Sequence, residues 1–236
     1  MDTYIPFCGA PPLPAELWTR WTLDPVLLIG LGLLGALGWA VAEKRPRFAI
    51  AWALVTLLFV SPLCAASIAL FSARVGQHIL LTLVAAPLLA ASLPSLRWPS
   101  LPFAAAFAGL FWLWHAPGPY QATLSSDLTY WSMHISLLTA AVLLFSTMRA
   151  RPERALVAAA LTGAQMTLYA SMITLAPGPW HSWHISTTLH YGLSAHADQQ
   201  LAGALMWVAG GALFLTSIAT LTLRFMRETT PEHPKP

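Results

Sequence analysis

The groups best equipped for chemistry in this 236-residue chain are its eight histidines and the few polar residues beside them. His78 follows Gln77 and stands one helical turn after Arg74. His115 ends the run FWLWH, and His134 ends YWSMH. HSWH supplies His181 and His184 at i, i+3; His190 and His196 follow, and Asp198, Gln199 and Gln200 close the series. Neutral imidazole is a ligand for copper, zinc or haem iron, and a carboxylate such as Asp198 serves as a fourth ligand or orients one. Other chemistries lack their residues: there is no G-x-S-x-G, no P-loop glycine motif, no H-E-x-x-H and no C-x-x-C. Cys8 and Cys64 are too few for a disulfide framework or a thiolate cluster. Cys64, near the end of an apolar run, reads either as a transient copper ligand or as an inert buried thiol.

The elements that must position these groups follow from composition. Only 12 basic and 9 acidic residues are present, 9% of the chain, while 57% is hydrophobic. An ordinary soluble domain carries roughly 25% charge. So few charges cannot cover a water-soluble surface, which sets aside a soluble enzyme, a disordered chain and a nucleic-acid binder together. The fold class expected is all-α, a polytopic transmembrane helix bundle. Seven stretches meet or approach the ~20 apolar residues of a membrane span: Asp24–Ala42, Phe48–Ala69, Gly76–Leu93, Leu101–His115, Leu128–Met148, Ala155–Ala176 and Gln199–Leu223. Asp24 before Pro25, and the SSD of Ser125–Asp127, read as helix caps. Pro62 and Pro87 fall inside spans and predict kinks. Gly30, Gly32, Gly35 and Gly38 predict that the first span packs closely on a neighbour.

Basic residues set the orientation. Lys44, Arg45, Arg47, Arg97, Arg149, Arg151, Arg154, Arg224, Arg227 and Lys235 fall on one side of the seven spans, and only Arg20 and Arg74 on the other. That split puts the N-terminus outside and the C-terminus in the cytoplasm. Residues 1–236 are expected to form one transmembrane domain: an outer segment 1–23 that does not read as a signal peptide, a seven-helix bundle 24–223 and a polar cytoplasmic tail 224–236.

In that frame seven of the eight histidines lie toward the outer side, and only His233 is cytoplasmic. His78, His115 and His134 come from three different spans at similar depth and are expected to converge as metal ligands, with Asp198. Taken singly, each could simply hydrogen-bond a carbonyl across a helix interface; it is the set at one depth that points to ligands. Gln77, Gln199 and Arg74 stand beside them as supporting residues. Arg74 reads as an anchor reaching outward, or as a clamp on Asp198 or a haem propionate. His181, His184, His190 and His196 form a candidate metal-acquisition loop, and equally a solvated one. Met133 and Met172 offer soft sulfur near the same depth, though methionine is common in apolar packing. Trp112, Trp114, Trp131, Trp180 and Trp183 fit an interfacial aromatic belt.

Three segments carry a family likeness. SPLCAASIALFSARVGQHILLTLVAAPLLAASLP, FWLWHAPGPYQATLSSDLTYWSMHISLLTAAVLLF and GLSAHADQQLAGALMWVAGGALFL resemble the CtaG family of cytochrome c oxidase assembly factors in its SPL and QH motifs, its W-H-x-P segment and its D-Q-x-x-A/G-G-x-x-M-W signature. The resemblance implies a seven-helix protein of the bacterial cytoplasmic membrane that helps mature haem–copper oxidases by delivering copper. Its matching positions are His78, His115, His134, Asp198 and Gln199. The chain departs from the pattern at Arg74, where many members have a histidine, and at GLSAHA, where GLSP is common. The leading expectation is therefore a non-enzymatic assembly factor that holds copper at an outer site and passes it to an oxidase subunit or another assembly factor, with no nucleic-acid partner. The alternatives are a haem-b electron-transfer protein and a copper transporter.

Overall fold

A computed structural model describes residues 4–229, and the regular elements among the described residues are all helices, without strands. His233 and Lys235 lie outside the described residues. Each of the seven apolar stretches is helical. α1 is Pro25–Val41, and Asp24 caps it by accepting the Leu27 N–H at 2.8 Å. α2 (Arg45–Val60) and α3 (Pro62–Ala69) meet at Ser61–Pro62 with a 51° bend, where Pro62 cannot continue the hydrogen-bond ladder. α4 (Phe71–Ile79) runs through a π-helical turn, Leu80–Ala85, into α5 (Ala86–Ser92). α6 is Ser100–His115 and α7 is Pro117–Ala122. α8 is Asp127–Ala150, with Ser126 accepting the Thr129 N–H at 3.3 Å, and α9 is Pro152–Leu175. After a short helix, α10 (His184–Thr187), come α11 (Ala195–Leu205), a second π-helical turn at Met206–Gly210 and α12 (Gly211–Thr229).

Three of these helices are long and apolar enough to cross a membrane: Phe71–Ser92, Asp127–Ala150 and Ala155–Leu175. The bent α2–α3 pair makes a fourth if counted as one. α1 and α6 are shorter and apolar. The apolar side chains left exposed, such as Val26, Ile29, Leu37, Leu128 and Leu175, suit a lipid solvent.

Small residues set the helix contacts. A Cβ at Gly35 would stand 2.4 Å from the Trp52 indole nitrogen, and one at Gly38 would stand 2.2 Å from the Phe48 ring, so α1 packs on α2 through these two glycines. Gly30 and Gly32 meet nothing within 4 Å. At Pro87, where the sequence predicts a kink, the helix Phe71–Ser92 runs on without a break. The π-helical turn just before Pro87 shifts the ladder, so that the Ala86 N–H reaches the Leu81 carbonyl, five residues back. A span with one extra residue accommodates the ring without a break.

The bundle has two chemically distinct ends. At one, Arg149 donates to the carbonyls of Ala91 (2.9 Å) and Leu93 (2.8 Å), closing the C-terminus of α5. At the other lie the N-terminal segment, α7, the 176–194 loop and the histidines. The N-terminal segment is strapped there. The Tyr4 hydroxyl donates to Asp127, Phe7 stacks on Tyr130, and Tyr191 reaches the Pro12 carbonyl at 3.0 Å. Cys8 and Cys64 form a disulfide with 5.5 Å between their Cα atoms. Cys64 is therefore neither of the two things its sequence suggested, a free copper-binding thiol or an inert one.

Candidate metal centre

The site begins at a chain break between α3 and α4. Leu70 is extended, so α3 ends and α4 starts inside protein, and both leave backbone groups without helical partners. The 176–194 loop satisfies the first set. Trp183 Nε1 donates to the Ile68 carbonyl at 2.9 Å, and Thr187 Oγ1 donates to that of Ala69 at 2.7 Å. Asp198, at the start of α11, satisfies the second. Its carboxylate accepts the Phe71 N–H at 2.6 Å, the Ser72 N–H at 3.3 Å and the Ser72 hydroxyl. Leu70 supplies no side-chain cap, so Asp198, 127 positions beyond Phe71, does so. This fixes the start of the helix that carries Arg74, Gln77 and His78.

His78, His115 and His134 are brought together from α4, α6 and α8. The His78 ring centroid lies 5.5 Å from that of His115 and 5.2 Å from that of His134, and all three are buried. Two of the rings are tethered alike. His115 Nδ1 lies 2.7 Å from the Phe111 carbonyl and His134 Nδ1 lies 2.9 Å from the Tyr130 carbonyl, each one turn earlier on its own helix. A carbonyl only accepts, so each Nδ1 carries the proton and each Nε2 keeps a free lone pair. Neither Nε2 has a hydrogen-bond partner, and neither does either nitrogen of His78. Buried polar atoms without partners are rare in native folds; here four of them stand on three adjacent imidazoles. Among the described residues, no three His, Cys, Asp or Glu side chains are already close enough around one point to hold a metal ion.

The other predicted residues separate by role. Gln77 Nε2 donates to the Leu58 carbonyl at 2.7 Å, while its Oε1 is unpartnered. Gln199 accepts the Trp180 N–H at 2.6 Å and donates to the Ile173 carbonyl at 2.9 Å, so it staples the 176–194 loop to α9. Arg74 neither reaches outward nor clamps Asp198. It is fully buried, donates to Thr123 Oγ1 at 2.8 Å and lies over the rings of Tyr120 (5.2 Å) and Tyr130 (5.8 Å). Among the described residues no carboxylate pairs with it, and aromatic faces supply the compensation instead.

The four loop histidines do not form one cluster. His181 and His184 are buried against Tyr120. His181 stacks on its ring at 4.0 Å with both nitrogens unpartnered, and His184 Nε2 accepts the Tyr120 hydroxyl at 2.6 Å. Burial pushes both imidazoles down to about 3. The neighbouring His184 and His115 add to the effect at His181, and Arg74 adds to it at His184. Both are neutral at ordinary pH. His196 is spent on the Ala176 carbonyl (2.9 Å), and His190 is exposed.

Two methionines complete the surroundings, and they are not the two singled out from the sequence. Met172 is 41% exposed and faces away from the bundle, and Met133 is buried elsewhere. Met166 of α9 and Met206, where the second π-helical turn begins, line a cavity of about 10 Å³ with His78 and His115. Met206 is the methionine of the D-Q-x-x-A/G-G-x-x-M-W signature, yet nothing in the sequence marked it or Met166 as a donor among seven methionines.

Comparison with known proteins gives one match. Residues 95–228, more than half of the chain, match the family model described as cytochrome c oxidase caa3 assembly factor (Caa3_CtaG). No curated protein and no solved structure matches.

Proposed function

The chain belongs to the Caa3_CtaG family of cytochrome c oxidase caa3 assembly factors, and on that premise we propose that it carries copper to a cytochrome c oxidase under assembly. The carrying observation is the set of unpartnered imidazole nitrogens. His115 and His134 present Nε2 lone pairs held by their Nδ1 tethers, and His78 packs against both rings with neither of its nitrogens hydrogen-bonded. Such nitrogens are costly to leave unbonded in a packed interior, and a metal ion relieves that cost. Neutral donors on an ion suit a carrier, because release by ligand exchange needs no proton.

In this reading the protein has seven spans, with the N-terminus outside the bacterial cytoplasmic membrane and the C-terminus in the cytoplasm. The histidine end then faces outward, and the Arg149 end inward. The ten-to-two split of basic residues supports the orientation, and the helices found on all seven stretches support the count. The role is non-catalytic, and the partner is an oxidase subunit or a second assembly factor. His181, with two unpartnered nitrogens, is the loop residue suited to passing the ion inward. A haem between these rings needs the width of a macrocycle, whereas the space lined by His78 and His115 is about 10 Å³, room for a single ion.

The test is metal analysis of detergent-purified protein, paired with oxidase assembly in cells carrying the His78→Ala, His115→Ala, His134→Ala triple variant. About one copper per chain, lost together with oxidase assembly in the variant, is expected. Copper-free protein whose triple variant still supports assembly would refute the proposal.

A further inference from the structure

We infer that Met166 and Met206 join His78 and His115 in a soft donor set that selects monovalent copper, an inference that rests on the copper reading above. Both thioethers are buried, 6% and 4% exposed, and both face the cavity that the two imidazoles line. The rest of that wall is Val75, Ile79, Thr82, Phe107, Phe111 and Leu137, without a carboxylate or a thiolate. At about 10 Å³ it takes one ion and no organic molecule.

Charge decides which ion. Desolvation cost rises with the square of charge, so a monovalent ion enters a dry site for roughly a quarter of the cost of a divalent one. With no anionic ligand to offset it, Zn²⁺ or Cu²⁺ is disfavoured. Thioether sulfur is a soft donor that suits Cu(I), and imidazole binds it as well.

The backbone bears on the same point. The turn Leu80–Ala85 begins two residues after His78, and the turn Met206–Gly210 begins at Met206 itself. π-helical turns are rare and collect at functional sites, because the extra residue re-aims the side chains around it. Here one follows each of two donors on facing helices. Met206 and Met166 also pack where α9 meets the second turn; a Cβ on Gly210 would lie 3.8 Å from Met166 Cε.

The experiment is an anaerobic titration of full-length protein in detergent with Cu(I), Ag(I) and Zn(II) against a chromophoric chelator, with X-ray absorption at the copper edge. Wild type is expected to bind Cu(I), to exchange it for Ag(I), to take Zn(II) at least ~100-fold more weakly, and to show sulfur scattering. The Met166→Leu, Met206→Leu double variant conserves volume. It is expected to lose Cu(I) affinity by about tenfold or more and to lose the sulfur signal. Copper bound by wild type through nitrogen alone would overturn this inference and leave the histidine carrier standing. Failure of wild type to bind copper at all would overturn both. The spectrum of the unaltered protein decides between them even if the variant misfolds.

Discussion

Removing the Asp198 carboxylate tests whether that group is a helix cap or a metal ligand. Asp198→Ala leaves the Phe71 and Ser72 N–H groups and the Ser72 hydroxyl, all buried, without their acceptor. A lost cap costs about 0.5–2 kcal/mol, and each buried donor left unbonded about 1–3 kcal/mol. These overlap, and water entering the vacated space recovers part, so a loss of about 3–5 kcal/mol is expected. Asp198→Asn keeps one oxygen for the Phe71 N–H but turns an amide NH₂ toward Ser72 and gives up the charge at the start of α4. A loss of about 1–2 kcal/mol follows. Thermal unfolding in detergent should therefore rank wild type above Asn above Ala, with the alanine variant down by on the order of 10 °C. Copper stoichiometry, measured on the same samples, should survive in Asp198→Asn. A variant that unfolds with wild-type behaviour yet has lost its copper would refute the capping argument and make Asp198 a ligand.

Two further outcomes follow from the same end of the molecule. Cys8 and Cys64 close a loop across 56 positions, for which chain entropy gives about 4 kcal/mol. Membrane-inserted helices that do not fully unfold make that a ceiling. Cys8→Ser is expected to lower thermal stability and to open residues 4–20 to protease, and unchanged protection would refute the strap. His181 and His184, held near 3 by burial, titrate near 6.5 once unfolded, so the unfolded state gains their protons first. The stability they share is level above about pH 7.5 and falls as pH drops below 6.5 toward 3. The loss is about 2 kcal/mol per histidine by pH 5. The His181→Asn, His184→Asn variant should show a flatter melting-temperature profile between pH 7 and 5, and a profile as steep as wild type's would refute the assignment.

What the sequence made legible follows the range of each interaction. Helices on all seven apolar stretches, the Asp24 and Ser126 caps and the Pro62 bend depend on residues within a turn or two of each other. The juxtaposition of His78, His115 and His134 needed only three helices read at a common depth. The Asp198 cap was not legible, because capping patterns are local and this one spans 127 positions. Nor was the cysteine pair, since two residues 56 apart carry no mark of contact. Arg74 looked like an outward anchor because its aromatic partners, Tyr120 and Tyr130, come from elsewhere in the chain. Met166 was hidden by its ordinariness in an apolar span, Met206 was read only as part of the family signature, and the π-helical turn before Pro87 has no sequence signature of its own.

The disulfide has a chemical consequence beyond strength. Thiolates hold soft metals more tightly than any other side chain, and this protein's only two cysteines are locked to each other, with both sulfurs within 3.6 Å of the hydroxyl of Tyr130, the residue whose carbonyl tethers His134. Asp198 is likewise committed to backbone. On the proposed copper reading, an ion among these imidazoles and thioethers would meet uncharged ligands, beside a buried guanidinium. Its positive charge would go uncancelled, and it would leave readily for any acceptor that offers an anion. Pairing the cysteines would then give up a permanent grip in exchange for a reversible one.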